Sequence, residues 1–321
     1  MKVSAILPND IDDPARPSGG NRYDRRVLSG LSALGWSVRE HAVFGDWPTG
    51  PSAAVADVVR TLPDDSLVLV DGLIGSAVPD VLVPAAARLR LVVLVHMPLD
   101  SAAERDALTA ARAVVSTSAW TRAQLLSAYG IAARVATPGV DPAPLATPST
   151  AGDRVICVGA VSRHKGHDLL IPAVAGLPVT LVCVGSLSHD PGLPRADRVR
   201  FLGPLAGAEL DAAYASADLL VLPSRAETYG MVVTEALARG IPVLATDVGG
   251  LPEALGRAPD GSVPGLLVPA GDAAALRAAL QRWLGDAGLR ERLRASAAAR
   301  RATLAGWDAT AGTVSDVLAA A

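Results

Sequence analysis

The sequence predicts an α/β fold of two Rossmann-like, parallel-sheet domains facing each other across a cleft. Three observations carry that expectation. Short Val, Leu and Ile runs alternate with helix-length segments along the chain, as strands do when crossover helices bury both faces of a sheet. The chain has 321 residues, too many for one ordinary core and enough for two domains of about 150 residues each. Between Pro138 and Gly152 runs a stretch without periodicity that holds four prolines and separates two alternating halves.

The elements follow in order. Val3 to Leu7 reads as the first strand, and a loop from Pro8 to Gly19 leads into a helix from Asn21 that places Val27, Leu28, Leu31 and Leu34 on one face and closes at Gly35. Strands are expected at Ser37 to Phe44, Leu67 to Val70, Leu91 to Val95 and Ala113 to Ser116. Helices fall at Pro51 to Leu62, Ala102 to Ala110 and from the cap Ser118 to Tyr129, with a proline-broken connection over Ser76 to Arg88. The second half begins again with a strand, Arg154 to Val158, then a glycine-containing loop and a helix. Further strands read at Val179 to Val184, Val199 to Leu202, Leu219 to Leu222, Val243 to Thr246 and Leu266 to Val268. Helices are expected over Gly207 to Ala215, Tyr229 to Arg239 and Asp272 to Leu284, and two more in the tail with Trp307 near their junction. The expected division is 1–140 and 153–303 as domains, 141–152 as linker, and 304–321 as a final helix packing back toward the N-terminal domain.

Composition excludes several classes. A net charge of −3 without a long Lys/Arg run argues against a nucleic-acid surface. No stretch reaches about 18 uninterrupted apolar residues, so no spanning helix is expected, and the apolar part of MKVSAILPNDIDD is shorter than a secretory core and reads as a strand. Cys157 and Cys183 fall inside strands, which suggests buried free thiols and a reducing, cytoplasmic setting.

The stretch from Pro223 to Pro252 is the most informative. It follows the apolar strand ending at Leu222 and sets Glu227 in the next loop and Glu235, with seven residues between them, in a helix. In open α/β sheets the carboxyl ends of the strands are where ligands sit, and a carboxylate accepts hydrogen bonds from paired hydroxyls. Val232, Val233, Ala236 and Leu237 form the buried face of that helix, which leaves Glu235 expected on another face near the loop. Gly230 would let backbone approach a ligand, with Tyr229 and Met231 as pocket candidates. The loop Gly159 to Gly166 joins a strand to a helix, so its amides, Arg163 and Lys165 form an anion-site candidate, against the bland alternative of a solvated basic turn. Ser18-Gly19-Gly20 is a similar tight loop that could equally be turn chemistry. His96 closes a buried strand, where a polar group needs a partner or a ligand.

The segment PSRAETYGMVVTEALARGIPV resembles the retaining family 4 glycosyltransferases of GT-B architecture, whose Glu-x7-Glu pattern it follows through its length. The likeness extends to Val158-Gly159 with Lys165-Gly166, to Phe201-Leu202-Gly203 and to Thr137-Pro138-Gly139-Val140-Asp141. In the first domain only the Gly-Gly loop and His96 correspond.

The resemblance implies a retaining enzyme that moves a sugar from a UDP- or GDP-sugar to a hydroxyl acceptor. It makes the second domain the donor-binding one and the first the acceptor-binding one. Glu227 and the backbone at Tyr229, Gly230 and Met231 would hold the sugar, Glu235 the ribose, and Lys165 and Arg163 the diphosphate. Phe201 would lie beside the base, Gly19 and Gly20 beside phosphate or acceptor, and His96 beside the sugar. Asn21 and Asp71 are the acceptor-side candidates. Ala160 departs from the family pattern, which has an arginine there. Lys165, Arg163 and helix-terminal amides would meet the charge on the departing phosphate, so neither a metal nor another cofactor is expected. A soluble acceptor is favoured over a lipid and over peripheral membrane contact, although Arg22, Arg25 and Arg26 cluster on the first helix. The alternatives are a nucleotide-sugar epimerase or hydrolase of the same architecture and a non-catalytic two-lobed sugar-binding protein.

Overall fold

The computed structural model describes residues 1–13, 18–187, 193 and 197–321. Two compact units emerge from it. One contains Met1–Asp13, Ser18–Gly139 and Ala305–Ala321, and the other contains Val140–Leu304.

In the first unit, β1 (Lys2–Pro8), α1 (Gly19–Ala33), β2 (Ser37–Val43), α2 (Ser52–Thr61), β3 (Leu67–Asp71), α3 (Gly72–Gly75), α4 (Pro79–Ala85), β4 (Arg90–Val95), α5 (Ala102–Ala110), β5 (Ala113–Ser116), α6 (Ala119–Tyr129) and β6 (Arg134–Val135) follow one another. The sheet is parallel with strand order β2-β1-β3-β4-β5-β6. Its central strands β3 and β4 are almost wholly buried, which is why their sequences are unbroken Val/Leu runs rather than alternating ones. Ser18 caps α1 by accepting from the Asn21 N–H, so Gly19 and Gly20 form the first turn of the helix instead of a preceding loop. β6, two residues long, is too short to leave a pattern in the sequence.

The C-terminal helix, Trp307–Ala320, belongs to this unit and lies against α1. The approach is close: a Cβ on Gly30 would come within 2.4 Å of the Ala311 Cβ. Trp36 Nε1 donates to Ser315 Oγ at 2.9 Å and Thr310 Oγ1 to the Thr137 carbonyl at 2.7 Å, tying the helix to the sheet's edge.

The second unit runs β7 (Arg154–Val158), α7 (His167–Val174), β8 (Thr180–Val184), β9 (Val199–Phe201), α8 (Gly207–Ala215), β10 (Leu219–Leu222), α9 (Met231–Ala238), β11 (Val243–Thr246), α10 (Leu251–Leu255), β12 (Gly265–Val268), α11 (Ala273–Gly285) and α12 (Ala287–Arg300). Its sheet is again parallel, in the order β12-β11-β10-β7-β8-β9. Cys157 and Cys183 are register partners on β7 and β8, both buried and free.

The segment 140–152 counts with this unit. Ser149 donates to the buried Asp218 through N–H (2.5 Å) and Oγ (2.7 Å), and Ala146 N–H donates to the Arg239 carbonyl at 2.9 Å. Burial alone would raise the Asp218 pKa, but the hydrogen bonds from Ser149 and Arg154 outweigh it and hold the carboxyl below its ordinary value.

Both sheets reverse their winding once. In the first unit the chain turns back between β1 and β3, and in the second between β7 and β10. The loops after those strands diverge at the carboxyl edge, the place where such sheets bind ligands. Among the described residues no helix is long and apolar enough to cross a membrane.

Candidate active site

Both features singled out in the second half of the sequence stand at the second unit's switch point. Lys165 lies in the loop after β7 and Glu227 in the loop after its neighbour β10, and Lys165 Nζ meets Glu227 Oε2 at 2.6 Å. Their side chains are 25% and 15% exposed, sheltered yet open to a ligand. Ser224 Oγ lies 3.4 Å from the same Glu227 oxygen, and Thr246 Oγ1 donates to the Ser224 carbonyl at 2.6 Å, which fixes the loop's first turn to β11.

Two glycines make the approach possible. Gly166, with φ +76°, caps the start of α7, and a Cβ there would lie 2.0 Å from the Pro223 carbonyl oxygen, so the Lys165 loop can touch the Glu227 loop only through glycine. Gly249, with φ +56°, sits beneath Glu227; its Cβ would fall 1.8 Å from the Glu227 carbonyl oxygen, the acceptor of the Gly250 N–H at 3.0 Å. Gly249→Ala is therefore expected to cost about 2 to 4 kcal/mol through strain and overpacking, read as a lower thermal midpoint, and to displace Glu227. An unchanged midpoint with unchanged ligand affinity would contradict this role.

The other expected donor residues are distributed less evenly. α9 begins at Met231, not Tyr229, because Gly230 at φ +93° forms its N-cap. The Tyr229 side chain is buried in the core with Val233 and Leu251, so only its backbone is left for a ligand. Met231 is partly buried at the first turn. Glu235 differs from expectation: it is 6% exposed instead of facing the loop, and Tyr214 Oη donates to its Oε2 at 2.9 Å. Arg239 covers the Tyr214 ring at 4.6 Å and donates to the Glu235 carbonyl, closing that side of the helix. Arg163 has an exposed side chain in the β7–α7 loop, where its carbonyl accepts from Arg225 and Arg225 also grips Asp168 through both guanidinium nitrogens. Phe201 ends β9 and is 38% exposed.

The first unit collects its candidates at its own switch point. His96 follows β4, Asp71 ends β3, and Gly19 and Gly20 open α1. A Cβ on Gly20 would stand 3.4 Å from the His96 ring. Asn21 Nδ2 donates to the Asp10 carbonyl at 3.1 Å, which holds the loop after β1. Buried Glu104 organises the chain beyond His96: its Oε2 accepts from the Leu99 and Asp100 N–H groups at 2.8 and 3.0 Å and from Tyr129 Oη at 2.8 Å.

Asp24 is a site residue that the sequence reading missed. Its Oδ1 lies 2.7 Å from His96 Nε2, and Asp71 Oδ2 lies 3.6 Å from the same nitrogen. A signal existed, since Asp24 falls three and four residues before Val27 and Leu28 on the apolar face of α1, where a carboxylate is unexpected. Gly249, Gly250 and Ser224 were likewise inside the highlighted stretch without being given a part. The chain also contains an Asp-x-Asp spacing, Asp10-Ile11-Asp12, in the loop after β1, and both Asp12 oxygens are bound by Arg25 at 2.9 and 2.7 Å. The metal-free expectation therefore rests on the cationic loop, not on lack of that spacing.

Comparison with known proteins bears on the fold and on the second unit's relatives. Residues 152–286 match the family model described as glycosyl transferases group 1. A curated relative, the D-inositol 3-phosphate glycosyltransferase of Salinispora tropica, is 38% identical over 185 residues, covering 51% of this chain and 37% of the relative. The matched stretch thus takes in under two fifths of that relative's length. Among solved structures, a sucrose-phosphate synthase from Thermosynechococcus elongatus superposes with a TM-score of 0.79 at 23% identity, covering 99% of this chain and 98% of that one. Anabaena HepE, solved in complex with UDP and glucose, gives 0.75 at 20% identity with full coverage of both chains. Residues 152–286 are thus similar to the group 1 glycosyl transferases, and the chain as a whole has the α/β GT-B fold.

Proposed function

We propose that the protein is a retaining glycosyltransferase that moves a sugar from a nucleotide diphosphate sugar to a hydroxyl acceptor without a metal ion. The observation that carries this reading is the Lys165–Glu227 pair at the switch point, a cation and a hydroxyl-accepting carboxylate 2.6 Å apart in a family domain. Lys165 and Glu227 satisfy each other, and a donor offers each a better partner: a diphosphate for the ammonium and sugar hydroxyls for the carboxylate. That Anabaena HepE binds UDP-glucose supports a donor of this type, with UDP as the first base to try.

In the reaction the bond from the anomeric carbon to the β-phosphate oxygen breaks and a bond to the acceptor oxygen forms on the same face. The acceptor proton passes to the departing phosphate. Negative charge grows on that phosphate and positive charge on the ring. Lys165, Arg163 and the amides at the start of α7 are the groups that meet the first, preorganised before the bond breaks. Glu227 and the backbone of Tyr229, Gly230 and Met231 orient the sugar, Glu235 serves the ribose and Phe201 marks the base end; in the first unit His96, Gly19, Gly20, Asn21 and Asp71 are the candidates for substrate and acceptor contacts. The free, buried cysteines support a cytoplasmic setting.

The test is thermal shift with UDP, GDP and their sugars, followed by product analysis with an acceptor panel. One nucleotide series is expected to raise the midpoint, by about 3 kcal/mol of stabilisation at a ligand concentration a hundredfold above Kd. Absence of any shift would overturn the donor assignment, and epimerised or hydrolysed sugar without acceptor would replace transfer with the other chemistry.

A further inference from the structure

His96 is held by more carboxylate than an ordinary strand-end histidine. Asp24 is 2% exposed and Asp71 3% exposed, and both are directed at one imidazole nitrogen. Asp71 also serves the backbone, since its Oδ1 accepts from the Leu73 and Ile74 N–H groups at the start of α3, at 2.8 and 3.2 Å. Asp24 caps nothing, and its Oδ2 is buried. Tyr23 stands edge-on to the imidazole at 5.2 Å and is itself fixed by donating to the Ala136 carbonyl at 2.7 Å.

A structural ion pair is a poor explanation of this arrangement, because desolvating two carboxylates costs more than well-packed apolar side chains would at the same place. A metal ion is a poor one too. Leu7, Val27, Leu28, Leu69 and Leu94 close around the carboxylates and leave no room for the waters that would complete a coordination shell begun by three protein ligands.

We propose that Asp24 is a positioning residue for His96, fixing the ring through Nε2 so that Nδ1–H is presented as a donor to an oxygen of the substrate. This rests on the reading of His96 as a substrate-contacting residue. Burial by itself would lower the His96 pKa, but the charge and hydrogen bond of Asp24, with Asp71 behind it, outweigh burial and push it up to about 8. Burial, and then the charge of Asp24, push the Asp71 carboxyl up to about 7. The titratable groups facing the ring are thus Asp24, Asp71 and Tyr23, and Tyr23 stays neutral because burial raises its pKa further. A charged His96 donates from both nitrogens, and the buried carboxyl groups of Asp24 and Asp71 beside it offset its charge next to a sugar ring that becomes positive.

The experiment uses the full chain and the isosteric Asp24→Asn, with His96→Ala as control. The His96 ring is followed by nitrogen NMR from pH 5.5 to 9.5, and kcat and donor KM are measured over the same range. In the wild type the ring is expected to stay charged until pH approaches about 8, and kcat to fall as the ring deprotonates. In Asp24→Asn the ring titrates at lower pH than in the wild type, and kcat drops about tenfold to a hundredfold, the loss that follows when the orienting partner of a metal-bound histidine is removed. Donor KM stays nearly constant and the alkaline limb of kcat moves to lower pH. A wild-type ring already neutral near pH 7 would overturn the proposal even if the variant failed to fold. Unchanged kcat in Asp24→Asn alongside loss of turnover in His96→Ala would overturn it while leaving the role of His96 intact. Full turnover in His96→Ala would instead remove the reading on which it rests.

Discussion

Glu227→Gln is expected to lower turnover by about a hundredfold or more while leaving the fold in place. The magnitude follows from geometry: a reacting sugar displaced by about 1 Å loses roughly two orders of magnitude in rate, and a neutral amide that both donates and accepts cannot hold paired hydroxyls as a carboxylate does. The small structural cost follows from exposure. Glu227 contacts Lys165 through a partly exposed ion pair, and pairs of that kind contribute about 1 kcal/mol or less. The loop itself is held by the Ser224–Thr246 bond and by Gly250 N–H on the Glu227 carbonyl, neither of which needs the carboxylate. Steady-state kinetics beside a thermal melt check both halves. Full activity would remove Glu227 from the site, whereas lost activity with a collapsed midpoint would make its role structural.

Lys165→Met carries the second large effect. Removal of one preorganised group at a developing charge costs about a hundredfold to a thousandfold in kcat, and here the group is the cation nearest Glu227. The variant should also bind the nucleoside diphosphate more weakly, because ground state and transition state both carry phosphate charge. Lys165→Arg should recover only part of the loss, since a planar guanidinium cannot take the place of a compact ammonium against Glu227. Equal kcat in wild type and Lys165→Met would shift the charge-stabilising role to Arg163, which stands two positions earlier in the same loop.

The fold was legible because parallel strands buried on both faces show as continuous apolar runs. β4, β7, β10 and β11 lie within a residue of their expected bounds. Helix ends governed by glycine were harder to place. Gly230 moves the start of α9 two residues beyond the expected position, because its left-handed backbone satisfies the cap before any side-chain period begins.

At the site, Lys165 and Glu227 could be named from sequence because each lies in the loop that follows a strand, and strand adjacency then brings them together. Glu235 could be named but not oriented. Helical spacing put it off the apolar face, whereas Tyr214 of α8, distant in sequence, buries it with a hydroxyl donor. Asp24 illustrates the opposite limit. Asp24 lies on α1, while its partners Asp71 and His96 stand at the ends of β3 and β4, and no local pattern shows which buried carboxylate will meet which ring. The glycine pair Gly249-Gly250 carries no pattern that marks its part, and only the 1.8 Å approach to the Glu227 carbonyl reveals it as the floor under that loop.

The central claim is that the two glutamates divide the donor between them, Glu227 on the sugar and Glu235 on the ribose. Calorimetric titration of the wild type, Glu227→Gln and Glu235→Gln with UDP and UDP-glucose, and in parallel with GDP and GDP-mannose, tests it most directly. Glu235→Gln should weaken the nucleoside diphosphate and its sugar equally, and Glu227→Gln should weaken only the sugar-bearing ligand. Equal losses for both ligands in Glu227→Gln, or tight binding of both in Glu235→Gln, would contradict the assignment.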